Sequence, residues 1–239
     1  TQSAGAVTGG HAADHRAVGV LLSTDLCRLT RLGVQFILPV KGRLRGKTRV
    51  AASPAFREAL IVAMLRDCVA AALATDLGEV VVVTPDPDLR SIARCDGATT
   101  LDHAGSLNEA IGAALGKGRS AVLLPDVPAV RPEHLLEVLA SSESGFVPDR
   151  AGTGTTMLFG TDLVPEFGPG SAARHEAAGN RRIIVPECGL TVDVDTAADL
   201  EIARERLKHE VAARAELEQR TESLRGQATV FARARGEIA

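Results

Sequence analysis

Aromatic residues are scarce in this 239-residue chain, which has six phenylalanines and neither tryptophan nor tyrosine. Single-stranded nucleic acids bind over aromatic stacking platforms, so that class of function has little support. Positive charge is not in excess either. Lys and Arg number 27 against 30 Asp and Glu, a net charge of -3, whereas duplex binding calls for a strongly basic face. The four cysteines, Cys27, Cys68, Cys95 and Cys188, lie far apart with no CxxC pair. They indicate no disulfide framework or zinc site and fit a reducing cytosol. The longest apolar runs, such as Val80–Val83, fall far short of the roughly 20 residues that span a bilayer. No basic region followed by an apolar stretch opens the chain, so no signal peptide is expected. The GxxxxGK[ST] phosphate loop, the GxGxxG fingerprint and the GxSxG elbow are all missing.

What is present begins with a change of pattern near Val34. Residues 1–33 are rich in Ala, Gly, Thr and Ser around one short apolar stretch, AVGVLLST, and read as a weakly structured extension. Beyond them VQFILPV, EVVVVT, ATTL and SAVLLP read as short strands. SPAFREALIVAMLRDCVAAALA, a segment near Asp86–Arg94, SLNEAIGAALGKG and RPEHLLEVLASS read as helices. Ser53 is the expected N-cap of the first helix and Pro54 its first residue. Phe56, Leu60, Ala63, Asp67 and Ala70 mark one side of it at helical spacing. Continuous apolar strands separated by helices predict parallel βαβ units: an α/β domain with a mostly parallel central sheet flanked by helices. In the second half GFVPDR, TGTTMLFG, RRIIVP and GLTVDVD are strand-like. A helix from Thr196 is expected to run through AADLEIARERLKHEVAARAELEQR, its outer portion charged all round and suited to solvent or a partner. The expected division is an extension over 1–33, one domain over 34–204 and a helical extension over 205–239.

In open parallel sheets ligands bind beyond the carboxyl ends of the strands, here PVKGRLRGKTR, TPDPD and PDVPA. The first places Lys41, Arg43, Arg45, Lys47 and Arg49 around Gly42 and Gly46. Glycines there let backbone N–H groups approach an anion, although a solvated charged loop has the same composition. Asp126, just past an apolar strand, is placed to hold Mg²⁺, a hard cation that takes carboxylate and phosphate oxygens; a turn or cap before Pro128 explains it too. Read as alternating along a strand, Asp193 and Asp195 are expected to face opposite ways. One then joins Asp126 in a two-carboxylate site, while the other caps the helix near Thr196. Gly168, Pro169 and Gly170 precede Ser171, the expected N-cap of a short helix whose free N–H groups suit an anion. Arg174 and His175 are expected to add charge there. DRAGTGTTML offers donors at Gly152 and Gly154 and hydroxyls at Thr153 and Thr155, or else forms a tight hairpin. A basic loop, acidic strand ends and two glycine-rich anion sites suit two phosphate-bearing substrates joined over Mg²⁺.

Read in order, PVK…GKTR, TPD, LNEAI, PDVPAV, FVPDRAGTGTTML, FGPGSAARH and DVDTAADL resemble the phospholactate or phosphoenolpyruvate guanylyltransferases of coenzyme F420 biosynthesis, over roughly Val34 to Arg204. DRxGTGT and FGPxSxxRH are the specific parts. The chain departs from the family at Val50, where Leu is frequent, and at Pro125, where Gly or Ala is common. The resemblance implies a single-domain, Rossmann-like nucleotidyltransferase fold of the glycosyltransferase-A type. It also implies transfer of GMP from GTP to a phosphorylated three-carbon acid, with phosphoenolpyruvate ahead of 2-phospho-L-lactate, and release of diphosphate. Asp126 and Asp193 match the metal ligands for Mg²⁺, and Thr155, Gly168 and Ser171 the acceptor contacts. Lys41, Lys47 and Arg49 match the loop facing the triphosphate, leaving Arg43 and Arg45 to solvent. Guanine and ribose are assigned to Thr84, Asp86 and Asn108. The implied setting is a cytoplasmic enzyme, possible as a homodimer, that passes its product to the pathway's transferase, with no nucleic-acid or membrane partner. Two alternatives stand beside this reading. A nucleotidyltransferase for another acceptor, such as molybdopterin, lacks its LAGGxSxRMG-like loop here, and a non-catalytic nucleotide-binding protein does not explain the acidic strand ends.

Overall fold

Four apolar segments build the middle of the sheet: β1 (Gln35–Pro39), β2 (Val80–Val83), β3 (Thr99–Leu101) and β4 (Ser120–Leu123). β1, β2 and β4 have almost no polar side chain to turn toward water, and β2 and β4 are buried throughout, as strands covered on both faces must be. A computed structural model describes residues 33–42, 47, 50, 52–185 and 189–208. The readings made for residues 1–32, Arg43, Arg45, Arg49 and 209–239 lie outside the described residues. β5 (Gly145–Pro148) and β6 (Thr155–Gly160) complete a six-stranded sheet of order β3-β2-β1-β4-β6-β5. The first four strands are mutually parallel, and β6 runs against both β4 and β5. The register pairs Phe36 with Val80 and with Ala121, and Leu123 with Met157.

Helix starts follow local chemistry. In α1 (Pro54–Leu73) the Ser53 hydroxyl accepts from the Phe56 N–H, and Pro54 opens the helix where its missing N–H costs nothing. Asp86 caps α2 (Pro87–Cys95) by accepting from Asp88 and Leu89. Ser106 and Glu109 form a reciprocal capping box on α3 (Leu107–Ala114). α4 (Pro132–Ser141) and α5 (Ser171–Ala177) follow, and residues 197–208 form a last helix, α6, within the described part of the chain.

Side chains of β1 alternate between two cores. Phe36 and Leu38 pack with Leu65, Cys68 and Val69 of α1 and with Leu89 and Leu135 of α2 and α4. Ile37 points the other way, among Val81, Val122, Ile111, Phe146 and Ala172 of α5. A third cluster joins Met64 of α1 to Val192, Val194 and Ala203.

Three expectations are corrected. The side of α1 marked by Phe56, Ala63, Asp67 and Ala70 faces outward, with Phe56 48% exposed, while Ile61, Met64, Leu65, Cys68 and Val69 face the core. The helix is apolar on nearly all sides, so spacing alone could not distinguish them. The described part of RRIIVP, residues 181–185, forms one bridge, Arg182 to Phe146, and no strand; beyond it β5 continues into Pro148, which has no N–H to extend a ladder. GLTVDVD is a 3₁₀ turn (Gly189–Thr191) followed by an irregular extended segment.

Candidate active site

The order of the strands sets the site's place. β1 is flanked by β2 on one side and by β4 on the other, so the connections leaving it diverge and open a crevice beyond its carboxyl end. Lys41 and Lys47 follow β1 there, and Asp126 follows β4. Because β6 is antiparallel to β4, its first residue, Thr155, belongs to the same edge, where the Leu124 N–H donates to the Thr156 carbonyl.

Asp126 is the centre of the acidic group. Its Oδ2 accepts from Lys47 Nζ at 2.9 Å, and its carbonyl accepts from the Val194 N–H at 2.9 Å. Its Oδ1 is buried and has no hydrogen-bond partner among the described residues. The Val194 bond anchors the segment carrying Asp193 and Asp195, and the burial of Val192 and Val194 turns both carboxylates to the other side. This corrects the expectation that only one of them faces the site, because side chains two residues apart in an extended chain share a face. Asp126, Asp193 and Asp195 each bring a carboxylate oxygen within 4.8 Å of the others. Asp195 also accepts from Lys47 Nζ at 3.1 Å. Nor does Asp195 cap α6. Thr196 does so, its hydroxyl accepting from the Asp199 N–H while Asp199 accepts from the Thr196 N–H.

Crowded negative charge leaves its mark. Burial, reinforced by Asp126 and Asp195, pushes the Asp193 carboxyl up to about 6. For Lys47, burial works against the charge, but the carboxylates of Asp126 and Asp195 outweigh it and hold the ammonium above its ordinary range. Lys47 reaches them from a left-handed backbone (φ 54°). An all-oxygen set with one orphaned buried oxygen fits a hard divalent cation such as Mg²⁺.

Lys41, Lys47, Asp126 and Asp195 line a cavity of about 260 Å³ with Val40, Ile61 and Leu107. A second cavity of about 370 Å³ shares Pro39, Val40, Lys41 and Leu107 and extends along Gly42, Val83, Pro85 and His103–Ser106. Both cavities lie beyond the carboxyl end of β1, the first toward β4 and the second toward β2 and β3. Thr84, Asp86 and Asn108 are neighbours in sequence of residues that line the second cavity, but none of the three lines either cavity, and each has a local duty. Thr84 is buried and accepts from the Asp86 N–H. Asp86 caps α2 and lies against Gly42, where an added Cβ would come within 3.8 Å of it. The Asn108 amide donates to the Phe167 carbonyl and accepts from the Phe167 N–H, holding the strand of chain that leads to Gly168.

Thr155, Gly168 and Ser171 also come together. Ser171 Oγ lies 3.2 Å from Thr155 Oγ1, and the Ser171 N–H donates to the Gly168 carbonyl at 3.0 Å. Ser171 is not the N-cap expected. Gly170, in the left-handed region at φ 72°, takes that position, which lets the Ser171 hydroxyl turn inward. Arg174 and His175 do not supply free charge either. Arg174 donates to the Glu166 and Pro169 carbonyls and so binds the loop. His175 is fully buried, and burial lowers its pKa from the ordinary 6.5. DRAGTGT is a hairpin connection between β5 and β6, in which Asp149 accepts from the Thr153 N–H; a Cβ on Gly154 would strike the Asp149 carboxylate.

A mostly parallel sheet with one reversed strand, carrying acidic residues and a lysine at its central cleft, defines a nucleotidyltransferase-type fold. The chain shares it with a putative nucleotide-diphospho-sugar transferase from Desulfovibrio desulfuricans G20, at a TM-score of 0.54 and 16% identity over 75% of this chain and 95% of the other. A model of the guanylyl transferase CofC-like family matches residues 34–206, and the chain belongs to that family. It is 41% identical over 190 residues to a phosphoenolpyruvate guanylyltransferase of Mycobacterium sp. strain KMS, covering 72% of this chain and 86% of the relative. It is 42% identical over 182 residues to one of Geodermatophilus obscurus, covering 69% and 85%.

Proposed function

We propose that this chain transfers GMP from GTP to a phosphorylated three-carbon acid, with release of diphosphate, as a step of coenzyme F420 biosynthesis. Phosphoenolpyruvate is the favoured acceptor and 2-phospho-L-lactate the second. The observation that carries the reading is the Asp126, Asp193 and Asp195 group facing Lys47 at the head of a cleft, in a chain whose relatives are named for this activity. Such an arrangement suits the meeting of two anionic substrates.

The nucleophile is the acceptor's own phosphate oxygen, already an anion, so no strong general base is required. Its lone pair forms the new bond to the α-phosphorus of GTP while the bond to the bridging oxygen breaks, and that oxygen leaves with diphosphate. The remaining demands are alignment and neutralisation of charge. When bound to the three carboxylates, Mg²⁺ would supply Lewis acidity and a template for the phosphate oxygens. Lys41, Lys47 and Arg49 are assigned to the departing diphosphate, with Lys47 exchanging its carboxylate partners for phosphate oxygens. Thr155, Gly168 and Ser171 hold the acceptor, and Asp126 and Asp193 are joined by Asp195 as metal ligands. The nucleoside is assigned to the cavity between Gly42 and Ser106, with Thr84, Asp86 and Asn108 assigned to its guanine and ribose. A phosphoanhydride-activated acid is the product, suited to consumption by the pathway's transferase.

The reading is tested by incubating the protein with GTP and Mg²⁺ and, in separate reactions, phosphoenolpyruvate, 2-phospho-L-lactate or 3-phosphoglycerate, with products resolved by mass spectrometry. A guanylylated phosphoenolpyruvate is expected to dominate. Turnover of GTP with none of the three would overturn the assignment.

A further inference from the structure

His175 is buried at the centre of the acceptor region, and its hydrogen bonds fix which way its ring is protonated. Nε2 receives the backbone N–H of Glu166 at 3.1 Å. A main-chain N–H can only donate, so Nε2 carries a lone pair. With Nε2 unprotonated the ring is neutral and its proton is on Nδ1, the form that burial, which lowers the His175 pKa, also favours. That Nδ1 lies 2.9 Å from Thr155 Oγ1, so the ring donates and the hydroxyl oxygen accepts. The ring is held edge-on to Phe167, at 5.0 Å and 72°, and lies 5.9 Å from Phe146.

The consequence falls on the Thr155 and Ser171 hydroxyls. They lie 3.2 Å apart and possess two hydroxyl hydrogens between them. Only one of these is used in their mutual bond. With His175 donating to Thr155, the other hydrogen is left over, whichever of the two hydroxyls retains it. No other described group accepts it, and both residues are buried, where an unmade hydrogen bond is costly. The opposite tautomer would reverse this. Thr155 would donate to Nδ1, Ser171 would donate to Thr155, and the pair would turn only lone pairs toward a ligand.

We propose that His175 is a positioning residue for the acceptor. Its Nδ1–H fixes the Thr155–Ser171 pair as a hydrogen-bond donor toward an oxyanion, and its Nε2 pins Glu166, two residues before Gly168. One ring thus sets both the side-chain and the loop elements of the acceptor site. This rests on the guanylyl-transfer reading, in which Thr155, Gly168 and Ser171 hold the phospho-acid.

The test compares His175→Phe, which keeps a ring and loses both nitrogens, with His175→Asn, whose amide can again donate to Thr155. His175→Phe is expected to raise the KM for phosphoenolpyruvate about tenfold or more, as for a lost hydrogen bond to a charged group. The KM for GTP should stay within about twofold, and His175→Asn should recover part of the difference. A folded His175→Phe with unchanged acceptor KM, or with both KM values raised alike, would overturn the proposal. Should either variant fail to fold, ¹⁵N NMR of histidine-labelled wild-type protein decides. The proposal expects a neutral His175 protonated on Nδ1, and is overturned by an Nε2-protonated or cationic ring. Wild-type protein inactive on every phospho-acid would instead refute guanylyl transfer and leave the NMR result standing on its own.

Discussion

Lys47 and the three aspartates are the residues whose neighbours most change their meaning. A lysine whose side chain is only 11% exposed, in contact with two carboxylates, acts as the counter-ion of a group that would otherwise repel itself. Without it, three carboxylates share one site, and like charges at that separation are destabilising. Lys47→Ala should therefore lower the melting temperature in metal-free buffer. Added MgCl₂ should restore the variant by more than it stabilises wild type, as read by paired thermal melts. Equal responses would mean that lysine and cation do not share the site. Asp195 makes a second prediction. Asp195→Asn should raise the Mg²⁺ concentration needed for half-maximal rate by about tenfold or more, at least what loss of an outer partner costs. A Mg²⁺ titration of initial rate measures it. The DVD pair is legible in the sequence, and the structure corrects its geometry by bringing both aspartates to the same side as Asp126. Buried Val192 and Val194 were the available signal, since they place both aspartates on the opposite side.

Among the elements, the apolar strands of the first half were readable from composition, whereas RRIIVP and GLTVDVD were not. Val80–Val83 has no polar residue to expose, so its burial on both faces and its parallel partners follow directly from composition. Helix starts were readable for the same local reason, because Ser53, Asp86 and Ser106 form their caps within three residues. The inward side of α1 was not readable, since Ala, Leu, Val and Ile surround the helix and only tertiary packing chooses between them. Leu65 is among those chosen, 1% exposed, and Leu65→Ala should cost about 2–5 kcal/mol by cavity formation, against near neutrality for Ala63→Ser on the outer side; urea midpoints compare the two. The α5 segment was legible as a loop followed by a helix, but the neutral, structural character of His175 was not, because it depends on Phe146 and Phe167 closing over it. This burial gives a pH signature. His175 has a folded pKa below 6.5, so the unfolded chain takes up the proton first as pH falls. Stability from this group is present above about 6.5 and is lost as pH drops through the folded value. The acid-side loss of stability should be smaller in His175→Phe than in wild type, measured as urea midpoints at pH 5 and pH 7.5.

For the molecule as a whole, topology does what no single motif could. β1, β4 and the start of β6 meet at one edge of the sheet, and residues about 150 positions apart, Lys47 and Asp195 among them, are brought into direct contact there. Sequence motifs named most of these residues; the crossing order of the strands supplied their proximity. No described helix is long and apolar enough to cross a membrane, and the two cavities beyond the strand ends have volumes of about 260 and 370 Å³. The whole arrangement therefore converges on Asp126, whose backbone carbonyl, paired oxygen and orphaned oxygen link the strand end, the lysine and the proposed cation. The most direct test is diphosphate release from GTP and phosphoenolpyruvate with Mg²⁺, comparing wild type with Asp126→Asn. The expected result is robust release by wild type and a fall of about 10²-fold or more in the variant, with the circular dichroism spectrum unchanged. Wild-type-like release by a folded Asp126→Asn would contradict it.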